Sequence, residues 1–209
     1  MKSPSIIIIL TFFLSGCFTY LDKNLFKFKD SDLVHIQSFH SGDTLLFENK
    51  LNKVDSFLVL DYEAEERGQK QGIISTKPES DYWLNIRQLN KNESEQENWR
   101  GLLNKDTING KAIKYQWLLT IAKYPPKNTI FYTFRFMNFY TQQDSTFGIF
   151  HSDTIIINNK SFTKYYSIDH GYPDRVTEPT GIEQLLWTDK EGLIAYKYKS
   201  SIWFTKSSR

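Results

Sequence analysis

The sequence predicts a mainly β fold: a curved antiparallel sheet, closed as a sandwich or half-barrel, with one or two short helices. Three observations predict it. Apolar and polar residues alternate with a period of two over most of the chain beyond residue 30, the pattern of a strand with one buried face. Phe, Tyr and Trp number 16, 12 and 5 and make up 16% of the residues, and such side chains suit a pleated, half-buried surface. Short clusters of Gly, Pro, Asn and Asp separate the alternating runs. Heptads and internal repeats are missing, which argues against a coiled coil or a solenoid.

Taken in order, "LVHIQSF" (33–39) reads as a strand, and "GDT" (42–44) turns the chain into the strand "LLFEN". The polar "NKLNK" (49–53) leads to a strand from Val54 to Glu65. Its alternation puts Val54, Ser56, Leu58, Leu60, Tyr62 and Ala64 on one face and Asp55, Asp61, Glu63 and Glu65 on the other. "YWLNIRQL" (82–89) is a further strand. "NESEQENWRGLLNK" breaks the rhythm: Ser94 and Glu97 have capping-box spacing, and Trp99, Leu102 and Leu103 recur at helical intervals. One short helix is expected there, weakened by Gly101. In "KYQWLLTIAKY" the residues Tyr115, Trp117, Leu119 and Ile121 line one face, and Pro125 and Pro126 stop the strand. "TIFYTFRFMNFYT" (129–141) then runs back with aromatic rings on both faces: Tyr132, Phe134, Phe136 and Tyr140 on one, Phe131 and Phe139 on the other. Beyond it lie a strand–turn–strand pattern about Asn158-Asn159 and a loop "HGYPDRVTEPTG". Three short strands follow, turning near 190–192 and at Ser200-Ser201. The total is about nine to eleven strands.

The N-terminus is different. Lys2 precedes Ile6–Leu14, an apolar run of nine residues interrupted only by Thr11, and small Ser15 and Gly16 follow. That is the layout of a secretory signal, too short for a span that needs about 20 apolar residues. Leu14-Ser15-Gly16-Cys17 resembles the lipobox of bacterial (Gram-negative) envelope lipoproteins. The resemblance implies cleavage before Cys17, a covalent diacylglycerol thioether on its sulfur and an N-acyl chain on its new amine. The chain holds a single cysteine, and lipidation would account for a thiol that is otherwise odd in an exported protein. One acyl chain holds a protein marginally and two or three hold it firmly.

The domain reading is therefore a signal peptide over 1–16, a lipidated N-terminus and linker over 17–31, and a single antiparallel β domain over 32–209. In residues 18–31, Lys23, Lys27 and Lys29 alternate with Leu25, Phe26 and Phe28. This stretch reads equally as a headgroup-facing segment, a first strand or a linker. In the lipoproteins it resembles, aspartate after the cysteine favours inner-membrane retention. Phe18 stands there instead, so the resemblance implies the outer membrane. With only Asp22 close by, the periplasmic face is favoured over the cell surface. The tail carries a second resemblance. Ile155 to Phe162, Trp187 to Lys197 and Ile202-Trp203 look like the closing strands of small uncharacterised β-rich envelope lipoproteins, which implies a curved antiparallel sheet and no catalytic residue.

The net charge of +2 becomes +1 without residues 1–16, whose only charged residue is Lys2. That balance argues against a nucleic-acid surface, where a clustered basic face is expected. No nucleophile elbow, zinc-protease helix, Cys-x-x-Cys, P-loop or dinucleotide fingerprint occurs. No cofactor is expected beyond the lipid on Cys17, and no metal site or catalytic residue is assigned. Of four histidines, His35, His40, His151 and His170, only His170 lies in a carboxylate-rich loop, with Asp169, Asp174 and Arg175. This loop reads as a polar turn or as an acid–base site. His35 and His40 fall on opposite strand faces. Asp61, Glu63 and Glu65, about 6.8 Å apart at strand rise, read as a solvated face or as calcium ligands.

The rings of 129–141 are the candidate ligand-binding set: Phe131, Tyr132, Phe134, Phe136, Phe139 and Tyr140. They line a concave face for an apolar ligand or simply form the core. The expected function is a lipid-anchored, non-enzymatic binding or interaction module, partnered by the membrane and by an envelope protein or apolar ligand. The alternatives are a structural or assembly lipoprotein, and an envelope hydrolase with a site near Asp169-His170-Asp174. Intact mass of the native protein tests the anchor. The expected product begins at Cys17 and carries diacylglycerol and an acyl chain.

Overall fold

All strand pairings are antiparallel, and they build one curled, half-barrel sheet of 13 strands. The computed structural model describes residues 28–60, 63–71, 75–90, 104–108, 111–124, 129–173, 176 and 181–205. The strands are β1 (Thr44–Asn49), β2 (Val54–Val59), β3 (Glu63–Gln71), β4 (Ser75–Gln88), β5 (Asn104–Ile108), β6 (Lys111–Tyr124), β7 (Thr129–Phe136), β8 (Phe139–Asp144), β9 (Ile149–Ile157), β10 (Lys160–Asp169), β11 (Ile182–Thr188), β12 (Gly192–Tyr198) and β13 (Ile202–Thr205). The continuous path runs β8-β7-β6-β4-β2-β1-β13-β12-β11-β10-β9, with β3 beside β4 and β5 beside β6. Neighbours on this path are successive strands except at β2–β4 and β4–β6, which skip the off-path β3 and β5, and at β1–β13. The molecule is thus a meander whose first and last strands pair at its centre, through Phe47 opposite Thr205 and Asn49 opposite Trp203.

The free edges β8 and β9 are successive strands. The end of β10 and the start of β11 reach β8 across this opening. Gly171 N–H donates to Tyr140 O at 2.9 Å, and Ile182 N–H donates to Asn138 Oδ1 at 3.3 Å.

The concave side is filled by rings. Phe136 lies 5.0 Å from Phe57 and 5.0 Å from Tyr196, and Phe134 lies 5.1 Å from Phe147. Trp187, Tyr196, Phe47 and Phe57 are among the largest fully buried side chains. A second, smaller apolar cluster lies on the opposite face and joins Ile157, Phe162, Tyr165, Leu186, Ile194, Ala195 and Phe204. The β9–β10 hairpin makes it. β10 pairs with β11 only over Tyr166–Asp169, and the register shifts between Thr163 and Tyr165. The hairpin end then leans over the sheet, where Lys160 pairs with Glu191 and Asn158 Nδ2 donates to Glu48 Oε1 at 3.5 Å. The turn at Asn158-Asn159 has positive φ at both residues, which suits a tight hairpin turn.

Four expectations are corrected. Residues 33–39 are not a strand: they hold a 3-10 turn over Val34–Ile36, after another over Asp30–Asp32. Leu33, Ile36 and Phe39 share a face at a spacing of three, the period of a 3-10 helix. Backbone N–H groups of Ile36 and Phe39 accordingly donate to Leu33 O and Ile36 O at 3.0 and 3.1 Å. The segment crosses the concave side as a strap.

The buried face of β2 is the opposite one. Asp55, Phe57 and Val59 point inward, because β2 carries apolar residues on both faces and the larger ring wins the interior. Asp55 is tolerated there because Tyr196 Oη donates to its Oδ2 at 2.6 Å and Asn90 Nδ2 to its Oδ1 at 3.1 Å. Burial and then Asp55 push the Tyr198 hydroxyl up to about 12.

Tyr115 and Trp117 do not share a face with Leu119 and Ile121. The β4–β6 register shifts between Leu84 and Asn85, which face Leu119 and Trp117. The extra residue, Leu118, is a bulge that swaps the faces, and Leu118 and Leu119 are both fully buried.

Finally, 129–141 is a hairpin rather than one strand. Phe136 faces Phe139 across a two-residue turn with Met137 at φ 53°. Of the predicted helix, residues 92–103 lie outside the described residues, and Asn104 and Lys105 belong to β5.

Gly192 explains how closely the strap docks. Its φ is +71°, and a Cβ there would lie 2.3 Å from Phe39 Cε2 and Cζ. Gly192→Ala is expected to lower stability by about 1–3 kcal/mol through overpacking and backbone strain. In a Phe39→Ala background the penalty should shrink, as measured by urea unfolding in a double-mutant cycle. Strict additivity would show that the strap does not lie there.

Candidate functional site

The six rings singled out in 129–141 part company at the hairpin. Tyr132, Phe134, Phe136 and Phe139 point into the half-barrel and are at most 6% exposed. Their neighbours are other rings of the chain: Phe57, Tyr196, Phe147 and Trp187. Phe131 and Tyr140 lie on the outer face, with Phe131 opposite Asp144 and Tyr140 opposite Arg135. The inward rings therefore form the core with the strap laid over it.

A polar cluster holds the strap down, and it escaped sequence reasoning. Lys123 Nζ, buried on β6, lies 2.6 Å from Asp32 Oδ2. His35 Nδ1 lies 2.6 Å from Oδ1 of Asp189, in the β11–β12 turn. The imidazole stacks on Phe147 with centroids 3.6 Å apart, and Tyr132 and Tyr166 present edges to it. Trp187 Nε1–H donates to His35 O at 2.8 Å. Burial pushes the imidazole below its ordinary 6.5, against the hydrogen bond and charge of Asp189, which raise it. A neutral His35 can donate Nδ1–H to the Asp189 carboxylate. This dyad orients the strap but presents a ring face already covered by Phe147. Its partners are 154 residues apart, so no local spacing signals it.

The Asp169-His170 loop is tied up by its own hydrogen bonds. Gln184 Nε2 donates to Asp169 Oδ1 at 2.7 Å. Tyr172 N–H donates to His170 Nδ1 at 2.9 Å, which leaves Nε2–H to face Asn138 O at 3.4 Å. Phe139 packs edge-on against the ring. Asp174 and Arg175 lie outside the described residues, as do Cys17 and Asp61. His40 is exposed beside Asp43. His151 stacks on Tyr165 and meets Ser167 Oγ at 2.8 Å. Among the described residues no group of three or more His, Cys, Asp or Glu could hold a metal ion.

The outer face of β4, β6, β7 and β8 carries a row of planar side chains that the sequence did not reveal. Trp83 stacks on Trp117 at 6.2 Å and 22°. The Arg135 guanidinium lies 5.3 Å from the Trp117 ring and 5.2 Å from the Tyr140 ring. Tyr172 stacks on Tyr140 at 6.1 Å and 11°. Thus the two regions chosen from sequence, the aromatic hairpin and the His170 loop, do meet, through Tyr140 and Tyr172. Alternation alone could have put Arg135 and Tyr140 outside, had the turn at Met137-Asn138 been recognised.

Comparison with protein-family models, curated proteins and solved structures finds no match.

The His35 environment yields a pH prediction. A folded-state value below 6.5 means the unfolded chain binds more protons in that window, so stability is present above 6.5 and is lost as pH falls through the folded value. Urea unfolding at about pH 7.5 and about pH 5.5 should show lower stability at the acid value. His35→Gln should flatten that difference; an unchanged slope would remove His35 as its source.

Proposed function

We propose that this chain is a lipid-anchored envelope protein, a non-enzymatic interaction module that works through its surface. The observation that carries this reading is Leu14-Ser15-Gly16-Cys17 after the apolar run Ile6–Leu14. The anchor is a diacylglycerol thioether with an N-acyl chain on Cys17. Phe18 in the following position favours the outer membrane, and the sparse acidic residues nearby favour its periplasmic face.

Work at the surface, rather than carriage of an apolar ligand inside the sheet, is supported by the packing of Tyr132, Phe134, Phe136 and Phe139 against rings of their own chain. A second reading, an assembly lipoprotein, is favoured by the free edge strand β9. It bears Ile149, Phe150 and Ile156 at 57, 53 and 72% exposure. Exposed apolar residues on a sheet edge are natural contacts for another chain. The hydrolase reading has less to stand on, since Asp169 and His170 spend their hydrogen bonds on Gln184 and on backbone groups.

Cys17→Ser should abolish labelling by radioactive palmitate and move the protein from the membrane fraction to the soluble fraction. Persistent labelling of that variant would place the anchor elsewhere.

A further inference from the structure

We propose that Arg135 is the centre of an oxyanion-binding site on the outer face of the half-barrel, taking a carboxylate or phosphate carried by an organic ligand. Three observations carry this. First, the guanidinium is flanked by rings, Trp117 on one side and Tyr140 on the other, each just over 5 Å from its central carbon. Rings compensate the cation partly, but they offer no lone pairs to its in-plane donors.

Second, the charge has no counter-ion among the described residues: no carboxylate there pairs with Arg135, and its Nε is buried without a hydrogen-bond partner. The residue opposite it on β8 is Tyr140. On the same face, the next pair along is Thr133 with Gln142, and the only acid on this face of β8, Asp144, stands opposite Phe131 and accepts from Ser145 Oγ. A buried donor left unpaired is costly, and no group of the protein relieves this one.

Third, the fork is held in place. The row Trp83–Trp117–Arg135–Tyr140–Tyr172 stacks across four strands and ends in the loop after β10. With the rotamer fixed by its neighbours, little side-chain freedom remains to be lost on binding. A guanidinium presents parallel N–H groups that match two oxygens of a carboxylate or phosphate. Tyr172, 47% exposed at the end of the row, offers an aromatic surface for the body of the ligand. A glycan uronate and a sugar phosphate share this chemistry. The site does not depend on the lipid anchor.

The test is direct. The full chain, labelled with 15N and purified in detergent, is titrated with inorganic phosphate, sodium glucuronate, glucose and sodium chloride at matched ionic strength. The Arg135 Nε–H resonance and tryptophan fluorescence are followed. The expected result is a saturable shift with phosphate, glucuronate or both, and none with glucose or chloride. Whichever anion saturates names the source. Arg135→Met should abolish the shift in fluorescence while the unfolding midpoint stays near that of the parent. Should Arg135→Met fail to fold, Arg135→Lys serves: it keeps the charge but loses the fork, and should bind about tenfold more weakly. No saturation by either anion, the same response to chloride, or undiminished binding by both variants would overturn the proposal.

Discussion

The structure depends on a strap closing an open trough. A curled sheet that stops short of a barrel leaves its concave rings facing water unless something covers them. Residues 28–43 do so. Ile36 and Phe39 enter the ring cluster, Trp187 donates to the His35 carbonyl, and Gly192 leaves room for the Phe39 ring. An ion pair, Lys123 with Asp32, and a hydrogen bond, His35 with Asp189, fasten the strap at points on opposite halves of the meander. The strap thus links β6 to the β11–β12 turn, which are far apart on the sheet path.

Closure by the β1–β13 pair has the same logic. Each half of the meander, β1 to β8 and β9 to β13, is built from hairpins and from pairings that skip at most one strand, and only the β1–β13 pairing joins the halves at the centre. Such long-range pairing costs loop-closure entropy before it returns contacts. Beneath the joint lie Phe47, Phe57, Phe136 and Tyr196, in mutual contact. Asp55 and the Tyr196 hydroxyl bond inside this greasy setting, where a lone carboxylate would be costly.

The sheet uses both faces differently along its length. Around β10–β13 the outer face is covered by the leaning hairpin and its apolar cluster. Around β4–β8 it carries upright stacked groups with Arg135 among them. The first arrangement satisfies itself. The second leaves a cation with donors to spare, so any specific recognition is better sought on this face than inside the core.

The sequence by itself determined the fold class, the turns at 49–53, 158–159, 190–192 and 200–201, and the strands from β9 onward. Period-two alternation and turn residues are local and need no partner to be read. The proposed lipobox at Leu14-Ser15-Gly16-Cys17 is likewise a linear pattern, readable without the fold. Which face of β2 is buried, where β6 changes face and whether 33–39 is extended were left to the tertiary structure. Val54–Val59 carries apolar residues on both faces, and a bulge at Leu118 adds a residue invisible to alternation. In 33–39, Leu33, Ile36 and Phe39 recur every three residues while Val34 and Ile36 also fit a period of two, so the short run reads either way. The pairing of His35 with Asp189 and the sandwich of Arg135 between Trp117 and Tyr140 were decided by tertiary structure alone. Each joins residues from separate strands or turns, and only the curl and register of the sheet bring them into contact.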